Sequence, residues 1–190
     1  GGAMEAERRI DIVNFMAPIN DNTIGRLIDL ICTAHGEGSM EIHLYLSSVG
    51  GKLHPAFTAH QFLRALHIPF YTHNVGTLEN GGLLLYLASD QRSASPNAKF
   101  MIYNFEWTFY RDHIRFPEII EAYESLKFDV ESYTSIFTER TNGSFDIHGC
   151  LTGPACVMDT KQALDAGIIT DPLIRAPGIP ELAKIWSVHN

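Results

Sequence analysis

Glu41-Ile-His-Leu-Tyr-Leu-Ser-Ser-Val-Gly-Gly51 decides the fold class. Ile42, Leu44 and Leu46 alternate with His43, Tyr45 and Ser47 at period two, the pattern of a strand, and the glycine pair stops it. On its N-terminal side, Thr23 is placed to cap a helix carrying Ile24, Leu27, Ile28 and Ile31 at three-and-four spacing. On its C-terminal side, Pro55 to Leu66 repeats the helical pattern through Phe57, Phe62, Leu63 and Leu66. Helix, strand and helix in succession predict an α/β protein with a mostly parallel sheet covered by helices.

The alternation continues outward. Pro69 to His73 reads as a short strand, Gly76 opens a turn, and Gly81 to Ser89 reads as a buried helix. Lys99 to Tyr103 is a further strand. Phe105 to Phe116 is aromatic and alternating, as in a strand or hairpin that projects from the core. Pro117 starts the longest helix, running to about Arg140, with Ile119, Ile120, Tyr123, Leu126, Val130, Tyr133 and Phe137 as apolar positions. Asn142-Gly143 stops it. A last helix, Lys161 to Ala166, feeds a strand at Gly167 to Thr170. With no repeat or linker, residues 10–175 read as one domain. Residues 1–9 read as a tag remnant and extension, with Gly1-Gly2-Ala3-Met4 a cloning scar, and 176–190 as a tail.

Composition narrows the function. The 190 residues are 45% apolar and 19% charged, with a formal net charge of −8. Nucleic acid and anionic membranes require clustered Lys and Arg, which this chain lacks, and no apolar run approaches a bilayer span. Three cysteines without a CxxC pair predict a reduced, cytoplasmic protein; Cys150 and Cys156 have no base nearby in sequence and read as buried or inert thiols. The nine histidines form no metal-ligand pattern. His54, His60 and His67 are expected at a surface or interface. No metal and no cofactor are expected.

Two glycine-bearing turns follow successive strands: Ser48-Val49-Gly50-Gly51, and Gly76-Thr77-Leu78-Glu79-Asn80-Gly81-Gly82. In a parallel sheet, ligands gather at the carboxyl ends of strands, so both belong to one crevice. Their amides, with the positive ends of the helices that follow, can form an anion hole; equally, they can be two tight turns and nothing more.

These turns, with Ile42 to Gly51, Gly76-x-x-x-Asn80-x-Gly82 and Ala94-Ser-Pro-Asn-Ala-Lys-Phe-Met-Ile-Tyr103, resemble the ClpP family of serine peptidases. The long helix ending in Thr141-Asn142 and the stretch Gln162-Ala-Leu-Asp-Ala-Gly-Ile-Ile169 continue the resemblance over residues 10–175. It implies a ClpP/crotonase-like fold of stacked ββα units, with a handle helix at about 116–142 joining rings face to face. It also implies a Ser-His-Asp site inside a closed chamber. Carried across, the nucleophile position is Asn80, the base position Tyr103 and, by ungapped alignment, the acid position Ala155. A carboxamide is no nucleophile, a phenol of pKa about 10 is a poor base at neutral pH, and alanine orients nothing. The resemblance places the oxyanion donors at the Gly51 and Gly81 amides. Alone, such a hole leaves roughly 10³–10⁴ of acceleration over water, negligible for peptide hydrolysis.

Other readings stand beside this one. A slipped register makes Asp159 the acid. Glu79, with Asn104, can form a substitute polar site of the kind crotonase relatives use on thioesters, or Glu79 can be a solvated turn residue. Ser47, Ser48, Glu79 and Asp159 are the residues of a shifted hydrolase site. Phe105-Glu-Trp-Thr-Phe-Tyr110 can pack on the protein or hold an extended peptide by strand addition. The expected function is therefore a ClpP-like subunit without chemistry, forming rings alone or mixed with active subunits. The alternatives are an active hydrolase with a shifted site, or a peptide-binding assembly module. An ATPase unfoldase and a peptide or protein ligand are the partners the resemblance implies.

Overall fold

A computed structural model describes residues 8–190; residues 1–7 of the tag remnant and extension expected at 1–9 lie outside the described residues. The chain runs β1 (Ile10–Met16), α1 (Asp21–Gly36), β2 (Glu41–Ser48), α2 (Leu53–Arg64), β3 (Phe70–Glu79), α3 (Gly81–Tyr86), β4 (Gln91–Ala94), β5 (Lys99–Ile102), α4 (Phe116–Arg140), α5 (Ile147–Thr152), β6 (Cys156–Met158), α6 (Thr160–Asp165) and β7 (Lys184–His189). One seven-stranded sheet has the order β6-β5-β3-β2-β1-β7, with β4 also on β3. All pairings are parallel except β5 with β6.

The strand that decided the fold class behaves as read. Ile42, Leu44 and Leu46 are fully buried in the main core with Leu27 and Ile31 of α1 and Ala56 and Ala59 of α2. The cap of α1 is Asn20, not Thr23. The two form a reciprocal box, with the Thr23 amide donating to Asn20 Oδ1 at 2.9 Å and the Asn20 amide to Thr23 Oγ1 at 3.1 Å.

Gly76 does not open a turn. It sits inside β3, where the register against β2 shifts between Leu46 and Ser48. A Cβ there would meet Ser47 Oγ at 2.6 Å, so glycine marks a bulge rather than an end. Asn74 fills the bend, donating from Nδ2 to the Lys99 carbonyl at 3.0 Å and accepting the Gly76 amide at 3.0 Å. The bend hands one edge of β3 from β4 to β5.

Two further expected strands are absent. Phe105 to Phe116 finds no ladder partner and runs irregularly, with Tyr110 94% exposed and Phe105 edge-on to Tyr133. Ile168 and Ile169 are buried, as an apolar run should be, yet make no ladder. Their neighbourhood is organised by Arg92, only 4% exposed. Its guanidinium donates to the carbonyls of Ile168, Ser89, Arg140 and Gly167 at 2.7–2.9 Å. One buried cation thus ties β4, the end of α4 and the chain after α6 together, and burial lowers its pKa to about 10.

Residues 184–189, within the stretch read as a tail, extend the sheet. Trp186 Nε1 donates to the buried Asp11 carboxylate at 2.9 Å, and Lys184 pairs with Glu37 at 2.9 Å. Between α6 and β7 the chain crosses the second face of the sheet over a cavity of about 620 Å³, pinned where Tyr45 donates its hydroxyl to the Gly178 carbonyl at 2.8 Å. On that face His73 is buried against Ser93 and Ser95. His60 is buried too, its Nδ1 at 2.7 Å from the Leu84 carbonyl, which corrects the surface placement.

The cysteine expectation is also corrected. Cys150 and Cys156 are disulfide-bonded, with Cα atoms 5.6 Å apart; Cys32 is free and exposed. The turn from α5 into β6 brings together two residues whose spacing carries no sequence signature. Among the described residues no helix is long and apolar enough to cross a membrane.

Arg92→Met, which leaves four buried carbonyls without donors, should lower unfolding free energy by about 3 kcal/mol in urea titrations. Burial depresses His73 to about 4 from 6.5, so its neutral form stabilises the fold fully above pH 6.5. That contribution is lost as pH falls from 6.5 toward 4, with His60 acting in the same sense. His73→Gln should flatten the urea-midpoint profile across that window.

Candidate functional site

The two glycine turns do meet. A Cβ on Gly50, at φ +81°, would lie 2.8 Å from the Glu79 carbonyl, so bare backbone is required where the turns touch. Gly51, at φ +146°, lies against Ile19, and a Cβ there would overlap the Ile19 carbonyl. Ile19 donates its amide to Gly50 O at 2.7 Å and accepts from the Lys52 amide at 2.8 Å, a parallel bridge that leaves the Gly51 N–H outside the pairing. Gly81 is the first residue of α3, so its N–H belongs to the unpaired donors of a helix start. A Cβ there would meet Ala56 Cβ at 2.9 Å. The turns border a crevice of about 970 Å³ that also takes in Asn80, Tyr103, Asn104, Phe105 and Trp107.

Asn80 sits between β3 and α3 at φ 44° and ψ −105°, a strained elbow. It is 6% exposed, and its polar groups are occupied. Its Nδ2 donates to the Tyr103 carbonyl at 3.1 Å, and its Oδ1 accepts the Tyr103 amide at 2.9 Å. Its own amide donates to Met101 O at 3.1 Å, and its carbonyl accepts the Tyr133 hydroxyl at 2.8 Å and the Leu83 amide at 3.0 Å. The carboxamide therefore acts as one more rung of sheet, joining the elbow to the end of β5. Tyr133, fully buried in α4, was legible only as an apolar helix position; nothing in its spacing marks the hydroxyl's partner.

Tyr103 reaches the other way. Its hydroxyl donates to Val49 O at 3.0 Å, bridging β5 to the first glycine turn. Burial, then the nearby Glu79 and Glu106, pushes its pKa up, so it holds its proton at neutral pH. Ala155 is exposed and immediately precedes Cys156, which pairs with Ile102. One step further along that antiparallel register, Ala155 falls beside Tyr103.

Asp159 is at the opposite end. It follows Met158, which pairs with Phe100, and its Oδ1 accepts the Gln162 amide at 2.8 Å as the cap of α6. Glu79 accepts from Thr77 Oγ1 at 3.1 Å and pairs with Lys99 at 3.7 Å. Asn104 donates to the carbonyls of Cys150, Leu151 and Gly153 at 2.9–3.3 Å, closing the end of α5. Ser47 Oγ accepts the Thr77 amide at 3.2 Å, and Ser48 Oγ the Gly50 amide at 3.1 Å. At the rim His54 Nε2 lies 3.3 Å from Asp129 Oδ2, a contact across 75 residues that local spacing could not reveal. Among the described residues no three His, Cys, Asp or Glu side chains converge as a metal site would need.

A model of the Clp protease family, described as Clp protease, matches residues 3–175. The chain belongs to the Clp protease family. A solved structure of a point mutant of ClpP1 from Listeria monocytogenes is similar in fold, with a TM-score of 0.72 over 86% of this chain and 90% of that one. Sequence identity is 18%, so this likeness speaks for the fold: the ClpP/crotonase-like α/β architecture expected above. The family match stops part-way along the crossing that leads to β7.

Asn80→Ala removes both carboxamide bonds and strands the Tyr103 amide and carbonyl. Thermal and urea unfolding should report a loss of about 2 kcal/mol.

Proposed function

We propose that this Clp protease homologue is a non-catalytic subunit that assembles into rings, alone or mixed with active ClpP-like subunits, and holds peptide without cutting it. The observation that carries the reading is the Asn80 carboxamide. At the nucleophile-equivalent position it spends both polar atoms on the Tyr103 backbone. A serine hydroxyl there would have to be free to attack, with a histidine beside it to take the proton. Here the neighbour is a phenol kept protonated, and the third position is Ala155. The residues of a shifted hydrolase site give no relief. Ser47, Ser48 and Asp159 bind backbone amides, and Glu79 is ion-paired.

The Gly51 amide, outside the bridge to Ile19, is suited to receive a carbonyl oxygen, and Phe105 and Trp107 offer apolar surface to the side chains of an extended ligand. Assembly is supported by α4. Ala122, Tyr133 and Phe137 face the core, while Phe116, Ile119, Ile120, Tyr123 and Phe128 are all exposed. Apolar side chains on both sides of one long helix favour an intersubunit contact. On this reading an ATPase unfoldase feeds the ring.

Fluorogenic peptides should not be turned over, and a fluorophosphonate probe should not label the protein. Turnover abolished by Asn80→Ala would overturn the reading. Native mass spectrometry should show a closed oligomer that Ile119→Glu with Tyr123→Glu dissociates; a monomeric wild type would remove the assembly claim.

A further inference from the structure

We propose that Cys150 and Cys156 are a reversible thiol–disulfide couple that sets the rigidity of the α5–β6 loop around Ala155, beside Tyr103, with a dithiol as its class of reductant. The inference goes beyond the function proposed above and does not rest on it. The bond ties α5 to β6 and encloses Leu151 to Ala155. β6 is an edge strand of three residues, joined to β5 at Phe100↔Met158, Met101↔Val157 and Ile102↔Cys156. Cys156 is therefore the last paired residue before Tyr103, and its sulfur fastens that end of the edge. Asn104 clamps only the α5 half of the loop, through Cys150, Leu151 and Gly153. Pro154 and Ala155 lie beyond it and are exposed. The disulfide is what holds this part of the loop beside the end of β5.

The two sulfurs are unequal. Cys150 is 1% exposed and belongs to the main core, whereas Cys156 is half-buried with exposed Ala155 and Val157 on either side. An incoming thiolate reaches Cys156 Sγ. The S–S bond breaks, and Cys150 leaves as a thiolate and takes up a proton, giving a mixed disulfide on Cys156. Cys150 stays beside the mixed disulfide, its Cα 5.6 Å from that of Cys156, so its return is intramolecular and outruns attack by a second, free monothiol. Only a second thiol on the same reductant competes. It attacks the reductant's own sulfur and releases Cys156, which is protonated in turn. The reductant departs as its cyclic disulfide, having given two electrons and two protons. This proximity selects a dithiol over a monothiol.

Treating the folded full chain, removing the reagent, trapping thiols with iodoacetamide in urea and counting them by mass spectrometry tests this, with exposed Cys32 as internal control. One cysteine should react without reductant, three after dithiothreitol, and one after glutathione at equal thiol concentration. Reoxidation should return the count to one. Hydrogen exchange across residues 151–158 should accelerate severalfold on reduction. Cys156→Ala, which leaves the core cysteine in place, should show the fast exchange without reductant. Three reactive cysteines in the untreated protein would overturn the proposal. So would a bond that dithiothreitol opens only once urea unfolds the chain, equal opening by glutathione, or exchange unchanged by reduction.

Discussion

The reciprocal hydrogen bonds between the Asn80 carboxamide and the Tyr103 backbone are the constraint on which the crevice depends. They carry the β3–β5 pairing past a strained elbow, one step beyond the backbone bond from Asn80 to Met101. The same residue takes the Tyr133 hydroxyl from α4, and Tyr103 closes onto Val49 in the first glycine turn. Four elements thereby share one small polar cluster. Such a cluster is rigid only when every member is satisfied, and here each is. That accounts for a crevice wall whose polar side chains serve as fasteners.

Arg92 does comparable work at the other end of the molecule. A buried cation without a carboxylate partner is costly unless its donors are met. Four carbonyls meet them, from segments that have no strand or helix in common. The arrangement exchanges a β-ladder for a side-chain hub. Neither Arg92 nor Asn80 would be recognised as structural from residue type alone.

Much of the fold was legible because the core elements carry simple periods. β2, α1, α2 and α4 each show their pattern within one window, and the turns after β2 and β3 gave the crevice. Asn80 and Tyr103 drew notice because they stand inside quotable motifs, and the structure joins them by two hydrogen bonds. What failed was non-local. Gly76 reads as punctuation until Ser47 is placed above it, and Ile168-Ile169 reads as a strand until Arg92 takes the carbonyls. Phe105 to Phe116 alternates like a strand, but a strand needs a neighbour, and none is supplied among the described residues. The Cys150–Cys156 pair, the Tyr133 hydroxyl and the His54–Asp129 contact likewise exist only once the chain is closed.

The β1–β7 pairing adds a consequence in time rather than space. Trp186 reaches Asp11 across 175 residues, among the longest separations the chain spans. Until residues 184–189 leave the ribosome, one side of β1 has no partner, although β2 can already cover the other. Pairings of such high contact order form late and leave an edge open to the wrong strand meanwhile. A nascent chain of this protein therefore carries an open edge on β1 from the moment residues 10–16 emerge until residues 184–189 follow.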